Sequence, residues 1–254
     1  MRLNLNADLG ESFGAWSMGD DENLLQVVNS ANVACGFHAG DPLIMSRTIT
    51  QAKEQAVSIG AHPGFADLQG FGRRPTVLKD AEVNSLVLYQ LAALGGMARS
   101  HDYKMTHVKP HGAMNNMACE DRQLATVIVK AVRQFDPELI FLAPVLSELE
   151  YAAREAGLSV AGEIFADRAY TESGTLVSRR EPGAVLDTTS ECIAHVRQMI
   201  SAGGLVTVTG NVLKTDFQSI CVHGDNAHAA DTARQIRMAL LADGHELLTL
   251  PELI

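Results

Sequence analysis

Apolar and polar positions alternate along this chain in two rhythms. Short segments at Leu3–Ala7, Ala31–Cys35, Val57–Ala61, Met105–Val108, Leu139–Leu142, Ser159–Phe165 and Ser219–His223 are apolar throughout or at every second position. That is the pattern of strands, and the unbroken runs suit a sheet covered on both faces. Between them, apolar residues repeat at helical spacing. Leu124, Val127, Ile128, Ala131, Val132 and Phe135 form one stripe, and Val83, Leu86, Val87, Leu91 and Leu94 form another. Asp41-Pro42 supplies a capping carboxylate and a proline at the first helical position, where no N–H is needed. Gly203 and Gly244 stand where the periodicity stops, as helix-ending glycines do.

Strands alternating with helices predict parallel strands joined by crossover helices. An open doubly wound sheet gathers its site at one crevice, whereas a closed barrel spreads it over the loops of one mouth. Polar residues follow most of the strands here. This favours an α/β fold of (β/α) barrel-like form with about seven parallel strands. Two stretches interrupt the rhythm. Gly64–Lys79 is too long for a routine connection, and Leu205–Thr209 with Asn211–Leu213, flanking Gly210, reads as an excursion of two short strands. No linker or repeat divides the chain, so residues 1–254 read as a single domain.

Composition acts mainly by exclusion. With 46% hydrophobic and 20% charged residues, the 254-residue chain is of ordinary globular type. Its net charge of −10 argues against a nucleic-acid groove or a surface that seeks anionic lipid. No apolar run is long enough to span a bilayer, and the N-terminus lacks a signal-peptide pattern. Cys35, Cys119, Cys192 and Cys221 are far apart, which suits reduced thiols in a cytoplasmic protein.

The polar residues near the strand ends carry the candidate chemistry. Asp8 and Glu11 follow the first strand, His38 and Asp41 the second, His62 the third, and Lys109 and His111 the fourth. Glu163, Asp167 and Arg168 accompany the sixth, and His223 and Asp225 the seventh. Each has an ordinary structural role available. Asp41 and Asp225 suit helix caps, Arg73-Arg74 a solvated pair or a carboxylate partner, and Phe13, Trp16 and Phe71 packing over a barrel mouth. Convergence at one mouth is what points to function. Imidazoles with carboxylates fit acid–base hydrolysis or a divalent metal, and a metal would draw on Asp8, His38 and His62. No His-Glu-x-x-His, no Gly-x-Ser-x-Gly elbow and no Gly-rich phosphate cradle is present. The residues alone reach a small-molecule enzyme, most simply a hydrolase.

The segments NADLGESFG, NVACGFHAGDP, GAHPGFADLQGFGRR, HVKPHGAMNN, EIFADRAYTESGTLVSRREPGAVL and ICVHGD resemble, in order, the motifs of the LamB/YcsF family. The likeness runs from Asn4 to the C-terminal helix. It implies a barrel related to those of glycoside hydrolases and polysaccharide deacetylases. It also implies ATP-dependent opening of 5-oxoproline (pyroglutamate) to glutamate, with partner subunits B and C. The same resemblance supports Asp8, Glu11, His38, His62, Lys109, His111, Glu163 and His223 as candidate catalytic groups, since all fall within its motifs. Asp8 or His111 would serve as general base and Lys109 as oxyanion partner. Arg74, Arg168, Asp167 and Asp225 are the candidates for holding substrate, an arginine fork suiting its carboxylate. Ala66 and Asn115 stand where a proline and a tyrosine are expected. The deacetylases bind metal through an aspartate and a His-x-x-x-His pair, and their metal is not carried over to this chain.

Two other readings compete. A metal-dependent deacetylase or carbohydrate hydrolase on the related barrel would carry stoichiometric metal. A non-catalytic lactam-binding subunit would lose only affinity when the mouth is mutated. If the resemblance holds, the isolated chain is expected to hydrolyse neither ATP nor 5-oxoproline without its partners.

Overall fold

The computed structural model describes residues 1–222 and 229–254. His223 and Asp225 therefore lie outside the described residues. In chain order the first half runs β1 (Arg2–Leu9), α1 (Asp21–Leu25), β2 (Ser30–Ala34), α2 (Pro42–Glu54), β3 (Ser58–His62), α3 (Asp80–Ser100), β4 (Met105–Val108), α4 (Gly112–Glu120) and α5 (Arg122–Phe135). The second half continues β5 (Ile140–Pro144), α6 (Glu148–Glu155), β6 (Val160–Phe165), α7 (Thr189–Ala202), β7 (Gly204–Val206), β8 (Val212–Lys214) and β9 (Ser219–Cys221). It ends with α8 (Ala229–Ala242), β10 (Glu246–Leu247) and α9 (Leu250–Leu253).

Strands β1 to β6 and β9 pair in parallel, and β9 bonds to both β6 and β1, which closes a seven-stranded barrel. The expected strands recur with shifts of a residue or two; the seventh is shorter than expected, ending at Cys221. The excursion after α7 is the antiparallel hairpin β7–β8. Sequence reading missed β10 and α9. Strand β10 pairs with the start of β1 at Arg2 and Leu3, and α9 buries Leu250 against Ile140, Leu142 and Ala161 at that end.

The helices form where their signals lie. Asp41 accepts hydrogen bonds from the N–H groups of Leu43 and Ile44 at 2.8 and 2.9 Å, with Pro42 starting α2. Gly203 closes α7 in the left-handed conformation, as its position suggests. On α5, Ile128, Ala131 and Val132 are fully buried, while Leu124, Val127 and Phe135 flank them against the core. The main apolar core lies between the barrel and its helices: Leu3, Leu5, Val33, Ile59 and Val108 are all buried there.

The barrel interior is largely polar, and this feature positions the site. One tier links the side chains of Asn4, Ser30, Ser58 and Ser219 through hydrogen bonds of 2.7–2.8 Å. A second tier joins Asn6, Asn32, His107 and Glu163: Asn32 donates to Asn6 at 2.8 Å, Asn6 to Glu163 at 2.9 Å, and His107 Nε2 meets Asn32 Oδ1 at 3.1 Å. Every member of both tiers is buried. These bonds fix the inward rotamers below the mouth. Gly60 makes room: a Cβ there would overlap the His107 imidazole.

Candidate active site

Above these tiers the next inward positions meet at the barrel mouth. Asp8 lies near the end of β1 and His62 ends β3, so both belong to strands rather than to the loops after them. Lys109 follows β4 directly, and His111 caps α4. Glu163 sits within β6 and is fully buried.

Lys109 organises the floor. Its Nζ lies 2.9 Å from Glu163 Oε1, 3.1 Å from Asp8 Oδ1, 3.2 Å from Cys221 Sγ and 3.4 Å from Asn6 Oδ1. Burial alone would lower its pKa. The carboxylates of Asp8 and Glu163 outweigh that and hold the ammonium well above its ordinary range. Three donors thus face four acceptors, which makes Lys109 an electrostatic anchor more than a spare oxyanion donor. Asp8 Oδ1 also accepts from Asn32 at 2.9 Å, while its Oδ2 lies 3.3 Å from His62 Nε2.

The three imidazoles stack beside this floor. His38 lies flat on His111 with centroids 3.6 Å apart, and His62 meets both edge-on. His38 Nε2 lies 3.2 Å from Glu11 Oε1, and the same oxygen is 3.7 Å from His111 Nδ1. Donor atoms of Glu11, His38, His62 and His111 all fall within 4.8 Å of one another, so the group could hold a metal ion. This differs from the expected set by adding Glu11 and His111, with Asp8 adjacent. Burial, reinforced by the neighbouring imidazoles, keeps His38 and His111 well below the usual histidine range.

The long loop after β3 builds one wall. Phe71 has a φ of 53° and sets its ring edge-on to His38 and His111. Gly72 follows at φ +62°, where a Cβ would come within 2.6 Å of His38 and 2.8 Å of His111. Only glycine allows that approach.

These groups line a cavity of about 490 Å³, within the usual range for small-molecule sites. Asp8, Glu11, His62, Lys109 and His111 form its floor, and Arg73, Arg168, Arg179 and Arg180 contribute to its walls. Arg168 is buried and donates to the Val177 carbonyl at 2.7 Å. Of the two arginines expected to face substrate, Arg168 lines the cavity, whereas Arg74 pairs with Asp67 and does not; its neighbour Arg73 does. Asp167, also expected at the substrate, accepts from the Leu186 N–H through its backbone oxygen and is not among the lining residues. Trp16 stacks on Phe13 but remains 73% exposed. Sequence reading missed Asn6, Asn32 and His107 beneath the floor, whose signal was polar residues at inward strand positions. It noted Asn115 only as a departure; this residue lines the cavity, and its Oδ1 is buried without a hydrogen-bond partner among the described residues.

The LamB/YcsF family matches residues 3–254, which spans the barrel and every residue of this floor. The chain belongs to the LamB/YcsF family. Among LamB/YcsF relatives, a protein of Azoarcus sp. (strain BH72), named as the A subunit of 5-oxoprolinase, is 57% identical over 253 residues, covering 100% of this chain and 99% of the relative. A solved structure from Thermus thermophilus, described as a lactam utilization protein, shares the family architecture. It is 40% identical with a TM-score of 0.92, covering 98% of this chain and 100% of that one. The barrel extends beyond the family. The catalytic domain of a peptidoglycan N-acetylglucosamine deacetylase from Eubacterium rectale aligns at a TM-score of 0.53, covering 98% of this chain and 87% of that one. At 10% identity that likeness concerns the fold alone.

Proposed function

We propose that this chain is the A subunit of an ATP-dependent 5-oxoprolinase, a hydrolase that opens the cyclic amide of 5-oxo-L-proline to L-glutamate. One observation carries the reading: 57% identity, over 99% of its length, to a relative named as the A subunit of 5-oxoprolinase. The name marks one component of an assembly, and the partners are subunits B and C. ATP is bound and spent in that assembly rather than by this chain alone, since the sequence has no glycine-rich phosphate cradle. The four unpaired cysteines support a reducing, cytoplasmic setting.

The floor suits attack on a lactam carbonyl. A five-membered lactam is a stable amide, so water needs a base and the carbonyl needs activation. Asp8 is that base: Lys109 and Asn32 hold its Oδ1, and its carboxylate lines the cavity beside His62, where a water would meet it. Lys109 holds the carboxylate in place through its 3.1 Å contact with Oδ1. The start of α4, at Gly112 and Ala113, lines the cavity and directs the positive end of the helix dipole at charge developing on the carbonyl oxygen. Arg73, Arg168, Arg179 and Arg180 bring guanidinium groups to the cavity wall, the group type that suits the substrate carboxylate.

The test is a coupled glutamate assay on the purified chain, alone and reconstituted with B and C. ATP-dependent glutamate release only in the reconstituted mixture is expected. Full turnover by the chain alone would contradict the partner requirement, and none under either condition would contradict the activity.

A further inference from the structure

His62 and His111 face each other through nitrogens that both carry a lone pair. His62 Nδ1 lies 2.7 Å from the Lys109 carbonyl oxygen, which can only accept, so that nitrogen bears the hydrogen. His111 Nε2 lies 2.8 Å from the Phe71 carbonyl oxygen and bears its hydrogen for the same reason. What remains is His62 Nε2 against His111 Nδ1, 3.0 Å apart. In two neutral rings both are acceptors, and no hydrogen bond can join them. A positive charge belongs between them, either a shared proton or a metal ion.

The surroundings favour the metal. Among the described residues, Asp8, Glu11 and Glu163 bring three carboxylates to the floor, and Lys109 is the ammonium placed among them. Carboxylates grouped around two imidazole nitrogens are the donor set of a divalent ion, which such oxygens can coordinate directly. The geometry agrees. An ion about 2.0–2.1 Å from each imidazole nitrogen sees a pair 3.0 Å apart at roughly a right angle, an accessible coordination angle. Glu11 Oε1, 3.7 Å from His111 Nδ1, stands at the distance of a third ligand. His38 Nε2, at 3.2 Å from the same oxygen, donates to it and sets its direction. His38 Nδ1 faces away, toward Gly64, where an added Cβ would lie 2.9 Å from it.

We propose that His62 Nε2, His111 Nδ1 and Glu11 bind one divalent transition-metal ion of the Zn²⁺ type, with His38 orienting Glu11. Two imidazoles and a carboxylate with an open position form a ligand set that suits Zn²⁺ and leaves room for water or substrate. Asp8 stays beside the ion as the base. The site rests on the hydrolase reading for its purpose only, because binding is measured on the chain itself.

The full chain, stripped with chelator and desalted, is titrated with Zn²⁺ by calorimetry, with metal content after dialysis and Tm read alongside. One ion per chain and a raised Tm are expected. His62→Ala and His111→Ala should each weaken binding by at least ~100-fold, beyond the usual effect of losing a supporting contact. His101→Ala, at the C-terminal end of α3, should bind as the parent does. Glu11→Gln keeps the volume of the site and guards against a folding defect: it should weaken binding ~10-fold or more with an unchanged circular dichroism spectrum. No saturable binding of Zn²⁺, Mn²⁺ or Co²⁺ by the folded parent chain would overturn the site and leave the shared proton. Stoichiometric binding that survives in both histidine variants would overturn it as well. Metal binding without glutamate release from the reconstituted enzyme would overturn the proposed function and leave this site standing.

Discussion

Replacing Lys109 by methionine removes one cation from between two carboxylates, and the consequence can be worked from burial. Glu163 is fully buried, and its Oε1 loses the ammonium at 2.9 Å while keeping only the Asn6 amide. Its Oε2 has no hydrogen-bond partner among the described residues to begin with. Breaking a buried pair on one side costs about 3–5 kcal/mol, because the remaining charge stays desolvated. For a chain of this length each kcal/mol lowers Tm by roughly 2–4 °C, so Lys109→Met should melt on the order of 10 °C lower. The double variant Lys109→Met/Glu163→Gln removes the stranded charge and keeps its shape. It should recover about half of the loss, since Asp8 still has Asn32 and His62 beside it. Urea unfolding of the parent, both single variants and the double variant completes a cycle. A coupling above about 1.5 kcal/mol is expected, and one below ~0.5 kcal/mol would show that Lys109 and Glu163 act independently.

Three further outcomes follow from the barrel itself. Gly60→Ala should destabilise by about 1–3 kcal/mol in urea, because its Cβ overlaps the His107 ring inside the closed barrel; an unchanged midpoint would mean that the tier is looser than described. Burial holds His107 neutral down to about pH 3, so the folded chain binds fewer protons there than the unfolded one. Its contribution is therefore complete above the unfolded value near 6.5 and should decline by up to ~1.4 kcal/mol per pH unit below it; His107→Gln, compared with the parent from pH 7 to 5, should lose that part of the slope. Asp41→Ala should cost about 1–2 kcal/mol of thermal stability, since it removes the cap of α2 and the 2.8 Å bond from Gly14 that ties the β1–α1 loop down.

Much of the barrel was legible because strand and helix periods differ and the polar residues recur at strand ends. Asp8, Glu11, His38, His62, Lys109 and His111 converge for that reason: parallel strands bring equivalent positions to one mouth. The polar interior was harder to read. Asn4, Asn6 and Asn32 alternate with apolar neighbours as solvent-facing positions would, and only closure of the sheet reveals that they point inward. That Arg74 pairs with Asp67 while Arg73 lines the cavity is a matter of loop geometry. The left-handed turn at Phe71 and Gly72 decides which arginine meets Asp67, and no hydrophobic period reports it. The closing pair β10 and α9 is too short for a periodic signal.

The most direct measurement is ATP-dependent glutamate release by the enzyme reconstituted with B and C, comparing the parent chain with Asp8→Asn. Asparagine keeps the contacts of Oδ1 but cannot take a proton at the other position. The expected result is a fall in kcat of roughly 10²–10⁴-fold with KM little changed and assembly intact. A kcat within about threefold of the parent would contradict Asp8 as the base, and with it the placement of the hydrolytic step on this barrel floor.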